Sequence, residues 1–151
     1  MIDVLAVASE IYPLVKTGGL ADVVGALPLA MKSEGFRVTT LVPGYPQVLK
    51  AGVLTARAQL GDLFGGPASI AALTAHGLDL LVLDAPHLFT RAGGIYGDAG
   101  GKDWPDNGER FAALSKAAGL IAGGAIAGYR PALVHSHDWQ AGLASAYVKL
   151  L

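Results

Sequence analysis

The chain has 151 residues, 52% of them apolar and only 15% charged, with a net charge of −1. That balance describes one domain with a sizeable core, and it excludes disorder and any electrostatic draw toward nucleic acid or an anionic membrane. The absence of cysteine excludes a disulfide framework and a thiolate metal site, and fits a reducing compartment.

No apolar run is long enough to span a bilayer; Ala117 to Ala127 carries three glycines. Asp3 and Glu10 interrupt the N-terminal apolar run, so no leader is expected, and a cytoplasmic protein is.

Ile2 to Ser9 is continuously apolar over Val4 to Ala8, the pattern of a strand buried on both faces. Glu10 to Gly19 is a loop broken by Pro13. Leu20 to Gly35 has apolar residues at helical spacing (Leu20, Val23, Val24, Leu27, Met31), with Pro28 expected to kink or divide the helix and Gly35 to stop it. Arg37 to Val42 is the second strand, followed by the rigid turn Pro43-Gly44-Tyr45-Pro46. Leu54 to Leu60 alternates, as a half-exposed strand does. Ala68 to Ala75 and Leu78 to Leu83 form an antiparallel hairpin around His76-Gly77.

Asp84 to Gly108 is rich in Gly, Pro and Asp, the mark of a functional or mobile loop. Glu109 to Ala127 is a helix with Asp106 or Asn107 as its cap. Pro131 to Ser136 is a short strand, and Trp139 to Leu150 begins a helix that meets no glycine stop, which suggests a longer protein. The sum is an α/β domain. Its sheet is mostly parallel, with helices on both faces and an antiparallel hairpin insertion at the edge.

Three loops leave the carboxyl ends of the parallel strands: Glu10–Gly19, Asp84–Asn107 and His135–Trp139. Ligands of open α/β sheets bind at that edge. Lys16-Thr17-Gly18-Gly19 opens a helix, so glycine backbone, helix N–H groups and a lysine offer an anion site for a phosphate or diphosphate. The competing reading is a flexible turn with a solvated lysine. Neither the P-loop order nor the dinucleotide fingerprint is present. Asp22 is either catalytic or a first-turn carboxylate favoured by the helix dipole. His135 and His137 share a side of a strand, as two metal ligands or as core histidines. Asp138 is a cleft carboxylate or a helix cap. Trp104 among Asp103, Asp106 and Asn107 offers a flat face and hydrogen-bonding groups suited to a sugar.

The segments SEIYPLVKTGGLADVVGALP, VPGYP, GKDWPDNGERFAALSKAA and RPALVHSHDWQAGL resemble the N-terminal domain of bacterial glycogen synthases and plant starch synthases. KTGGLADV and HSHDWQAGL are signatures of that family; Lys50 to Leu78 is less distinctive. The resemblance implies one half of a GT-B fold, two Rossmann-like domains with the active site between them. It implies retaining transfer of glucose from ADP-glucose to the non-reducing end of an α-1,4-glucan, without metal or other cofactor. Lys16, Gly18 and Gly19 match the donor-binding loop. Asp22 supports that loop, and Asp138 matches the active-site aspartate; these two are the expected catalytic carboxylates. Glu10, Tyr12 and Tyr96 fall where the acceptor glucan approaches. The resemblance assigns residues 1–151 to an incomplete N-terminal domain. A further active-site histidine and the nucleotide-binding C-terminal domain lie beyond them, so this chain alone is expected to be inactive. A non-catalytic α-glucan-binding module is the alternative, and the missing glycine fingerprint disfavours a dinucleotide oxidoreductase.

Overall fold

The computed structural model describes residues 1–151. In chain order it contains β1 (Ile2–Val7), α1 (Gly19–Lys32), β2 (Phe36–Pro43), α2 (Pro46–Leu49), β3 (Thr55–Asp62), β4 (Pro67–Ala75), β5 (Leu78–Asp84), α3 (Pro86–Phe89), α4 (Asn107–Ala122), β6 (Leu133–Ser136) and α5 (Ala144–Leu150). The strands make one sheet in the order β3-β4-β5-β2-β1-β6. The pairs β1–β2, β1–β6 and β2–β5 are parallel; β3–β4 and β4–β5 are antiparallel. The expected hairpin insertion is therefore present. Its turn uses left-handed backbone at His76 (φ 52°) and Gly77 (φ 73°), which suits a two-residue hairpin connection.

Both faces of β1 are covered, which explains its unbroken apolar run. Leu5 and Val7 pack into the main core with Phe111, Leu114 and Ala118 of α4. Val4 and Ala6 face the other way, toward Val38 of β2 and Met31 of α1. Each fully buried valine or leucine among them contributes roughly 1.5–3 kcal/mol relative to exposure. β3 is mostly exposed, as an edge strand should be. No helix is long and apolar enough to cross a membrane.

Four local expectations are corrected. Helix α1 runs unbroken through Pro28, since Ala21, Val24 and Met31 hold it against the rest of the fold. Asp106 stands at the cap position of α4 without capping it, because Arg91 takes both of its carboxylate oxygens, at 2.7 and 2.5 Å. The pairing lowers the Asp106 pKa and raises that of Arg91. The 84–108 loop contains the short helix α3 and is tied down by side chains. The final helix is divided: Trp139–Ala141 forms a 3-10 turn, and α5 starts only at Ala144.

Candidate active site at the carboxyl edge of the sheet

β1 lies between β2 and β6, and the chain departs from it in both directions. That is the topological switch point, where the loops after two neighbouring parallel strands part and leave a crevice. The loop after β1 carries Glu10 to Gly18. The turn after β6 carries His137 and Asp138, tied to β1 by His137 N–H donating to the Val7 carbonyl at 3.0 Å. The loop after β5 brings Tyr96. The three loops expected at one edge are there.

The first loop is held from within. Ile11 and Val15 pair across it, and the Tyr12 N–H donates to the Ala21 carbonyl at 3.0 Å. Glu10 is buried, 3% exposed, and its Oε2 accepts from the Thr17 N–H at 2.6 Å and the Thr17 hydroxyl at 2.8 Å. Glu10 therefore shapes the loop. Helix α1 approaches it closely: a Cβ on Gly25 would lie 2.6 Å from the Tyr12 carbonyl oxygen. Gly25→Ala is expected to destabilise the chain by roughly 1–3 kcal/mol, read as a lower melting temperature, because backbone must move to admit the methyl.

Gly18 and Gly19 are different. A Cβ at either would touch nothing within 4 Å, and neither has positive φ. The fold does not require these glycines; the open space above them is free for a ligand to approach the backbone. No side chain caps α1, so its first-turn N–H groups remain available there. Lys16 Nζ bonds the Asp22 carboxylate and reaches the Gly18 carbonyl at 3.3 Å. An exposed ion pair of this kind adds little to stability. What it does is hold the ammonium over the mouth of the helix. Lys16, Gly18, Gly19 and Asp22 thus form one group.

Asp138 has φ 63° and ψ −174°, a region that is essentially reserved for glycine. Holding another residue there costs of order 1–3 kcal/mol. Its carboxylate accepts from the Trp139 N–H at 3.0 Å, so the cap expected from the sequence is real. A cap alone does not account for the strain, since capping residues ordinarily sit in the unstrained extended region. The Trp139 ring, 59% exposed, stands edge-on to Phe111 at 5.4 Å.

The ring centroids of His135 and His137 lie 4.2 Å apart. No third His, Cys, Asp or Glu joins them in a metal-binding group. His135 is exposed. His137 is buried, and its Nε2 finds no partner, unlike the satisfied core histidine expected. Burial, and then the neighbouring His135, hold the His137 pKa below its ordinary 6.5. The unfolded chain takes up this proton more readily, so the stability contribution is complete above about pH 6.5 and lost as pH falls below it. Melting temperatures across a pH series are expected to fall on that acid side, and less steeply in His137→Gln.

Tyr96 joins Glu10 and Asp138 at the edge. Its hydroxyl shares a 2.7 Å hydrogen bond with Ser9 Oγ. Burial, countered by that bond and reinforced by the Glu10 and Asp138 charges, pushes its pKa to about 12, so the phenol keeps its proton at neutral pH. Tyr12 stands apart. It is 54% exposed and lines an open cavity with Gly25 and Leu29 of α1 and His76 of the β4–β5 turn. Trp104 donates Nε1–H to the Gly94 carbonyl at 3.0 Å and stacks under Arg91 at 5.1 Å, which gives the ring a structural duty. Ser9, Thr17, Asn107 and Arg110 are site-building residues that the sequence reading did not single out for that role. Only Arg110 left a signal, a cation within the apolar stripe of α4.

Comparison with known proteins identifies the family. The starch synthase catalytic domain family matches residues 3–151. A glycogen synthase of Mesorhizobium japonicum is 57% identical over 148 residues, covering 97% of this chain and 31% of that protein. One from Jannaschia sp. is 60% identical over 148 residues, covering 98% and 31%. The catalytic domain of starch synthase IV from Arabidopsis thaliana, solved bound to ADP and acarbose, superposes with a TM-score of 0.70 at 26% identity, covering 95% of this chain and 29% of that one. The chain thus spans about a third of the length of the curated relatives it matches. On the match over residues 3–151, the chain belongs to the starch synthase catalytic domain family.

Proposed function

We propose that this chain is the incomplete N-terminal domain of a retaining glucosyltransferase, which moves glucose from ADP-glucose to the non-reducing end of an α-1,4-glucan in glycogen synthesis. The observation that carries the reading is the uncapped start of α1, with Lys16 and two open glycines, on the same edge as the strained Asp138. The starch synthase IV catalytic domain was solved bound to ADP and acarbose, which supports a nucleotide as one of the ligands.

Each group has a task in this reading. Cleavage of the sugar–phosphate bond leaves negative charge on the diphosphate of ADP. Lys16 and the α1 N–H groups stabilise it as it develops, with no metal required. Gly18 and Gly19 let backbone come close to diphosphate and glucose. Asp22 orients Lys16. Asp138 orients sugar hydroxyls or stabilises the oxocarbenium-like sugar. It is not assigned as a nucleophile, because the acceptor can attack from the face the diphosphate leaves. Tyr96 receives the acceptor, with Glu10 acting behind the loop. A second domain, beyond Leu151 in the full-length protein, supplies the opposite wall. The cysteine-free composition fits a cytoplasmic enzyme.

Product analysis tests the reaction class. Glucose added by the full-length protein is expected to be released by an exo-acting α-1,4-glucosidase, and its transfer to proceed at the same rate with a chelator present. A product resistant to that enzyme, or a rate that collapses on chelation, would contradict the assignment.

A further inference from the structure

Arg110 is the most unusual side chain in the core. It is 1% exposed, and no carboxylate pairs with it. Its donors go to neutral acceptors: Nε–H to the Leu88 carbonyl at 2.7 Å, and Nη1 to the Ile95 carbonyl and Asn107 Oδ1, both at 2.8 Å. The guanidinium lies 5.2 Å from the Phe89 ring centroid and 5.3 Å from that of Phe111. Stability alone is a poor reason for a buried cation, since an apolar side chain of similar volume often serves as well or better. The geometry it sets is a better one.

That geometry leads to the site. Asn107 accepts from Arg110 with its oxygen and donates Nδ2–H to the Tyr96 carbonyl at 2.9 Å. The Tyr96 ring packs on Phe111 at 5.8 Å, and its hydroxyl meets Ser9 Oγ at 2.7 Å. The Ser9 carbonyl accepts from the buried Tyr45 hydroxyl at 2.8 Å. An unbroken hydrogen-bonded path therefore runs from α4 through the 84–106 loop to the end of β1. All of its members are neutral except the arginine. Burial lowers the Arg110 pKa from a value so high that the guanidinium stays charged.

We infer that Arg110 and Asn107 are positioning residues for glucosyl transfer: they fix Tyr96 against Ser9, and through it the register of the acceptor glucan beside Asp138. The inference rests on the transferase reading and extends it to residues that touch no substrate. Neither side chain reaches the Lys16–Gly19 loop, so the donor side is not theirs to set.

Steady-state kinetics of the full-length protein, with ADP-glucose and glycogen varied separately, test this. Asn107→Asp keeps the acceptor for Arg110 and adds a favourable charge at the start of α4, but turns an oxygen on the Tyr96 carbonyl. It should fold, raise the KM for glycogen and lower kcat by roughly 10–100-fold in kcat/KM, and leave the KM for ADP-glucose unchanged. Arg110→Met, which fills the space between the two phenylalanines, should show the same split, and Arg110→Lys should recover part of the loss. In a Tyr96→Phe background, where the Ser9 bond is already gone, Asn107→Asp should add little. Asn107→Asp with both KM values and kcat within about twofold of the parent would overturn the inference, whatever Arg110→Met does to folding. So would equal losses toward both substrates. A parent that transfers no glucose would overturn the transferase reading as well; an active parent with unaffected variants would overturn this inference alone.

Discussion

Asp138→Asn in the full-length protein is expected to lower kcat by about 10²–10³-fold while leaving the melting temperature nearly unchanged. The asparagine oxygen can still accept from the Trp139 N–H, and asparagine tolerates positive φ better than most residues. Only the negative charge is removed, so a loss of rate reports on the charge. A variant with unchanged kcat would reduce Asp138 to a helix cap. The backbone gives a second, independent readout. Asp138→Ala loses the cap and keeps the strain at φ 63°; Asp138→Gly loses the cap and relieves the strain. The glycine variant should therefore be the more stable of the two, by about 1 kcal/mol after its own entropic penalty. Both should be catalytically impaired. A position where glycine fits the fold better than the resident residue is one held for function.

Lys16→Ala is expected to reduce kcat/KM for ADP-glucose by about 10²–10³-fold, again with little change in stability. The side chain is exposed, and its pairing with Asp22 is too solvated to hold the fold together. The KM for glycogen should hardly move. Lys16→Arg should rescue poorly, because a planar fork does not replace a compact ammonium held by Asp22 and the Gly18 carbonyl. Asp22→Asn should fall between parent and Lys16→Ala, since it leaves the cation present but less well aimed. ADP-glucose binding that survives Lys16→Ala would restore the reading of this stretch as a plain turn with a solvated lysine.

The elements read most readily from the sequence are those whose pattern is local. The apolar run of β1, the alternation of β3 and the His76-Gly77 turn each carry their own signature, and the strand–helix alternation at both ends of the chain implied the parallel strands whose loops share one edge. Lys16, Gly18 and Gly19 were legible for the same reason, as contiguous residues between a strand and a helix. What sequence could not show depends on partners far along the chain. Asp106 has the composition of a cap, yet the carboxylate is claimed by Arg91, fifteen residues earlier, in a bidentate pair stronger than a cap bond. Pro28 reads as a helix breaker, but packing of α1 outweighs its missing N–H. Arg110 drew no reading from the sequence, because its partners Leu88, Ile95 and Asn107 meet it only in the fold. The strain at Asp138 has no sequence signature, because it belongs to the backbone and not to the residue type.

The central claim is that this chain provides one wall of an ADP-glucose:glucan glucosyltransferase, with Lys16 at the diphosphate and Asp138 at the sugar. Incorporation of label from ADP-[glucose-labelled] donor into glycogen tests it most directly, with the full-length protein and residues 1–151 assayed side by side. The account predicts incorporation by the full-length protein and none by residues 1–151. Label in glycogen from residues 1–151 alone, or none from the full-length protein, would contradict it.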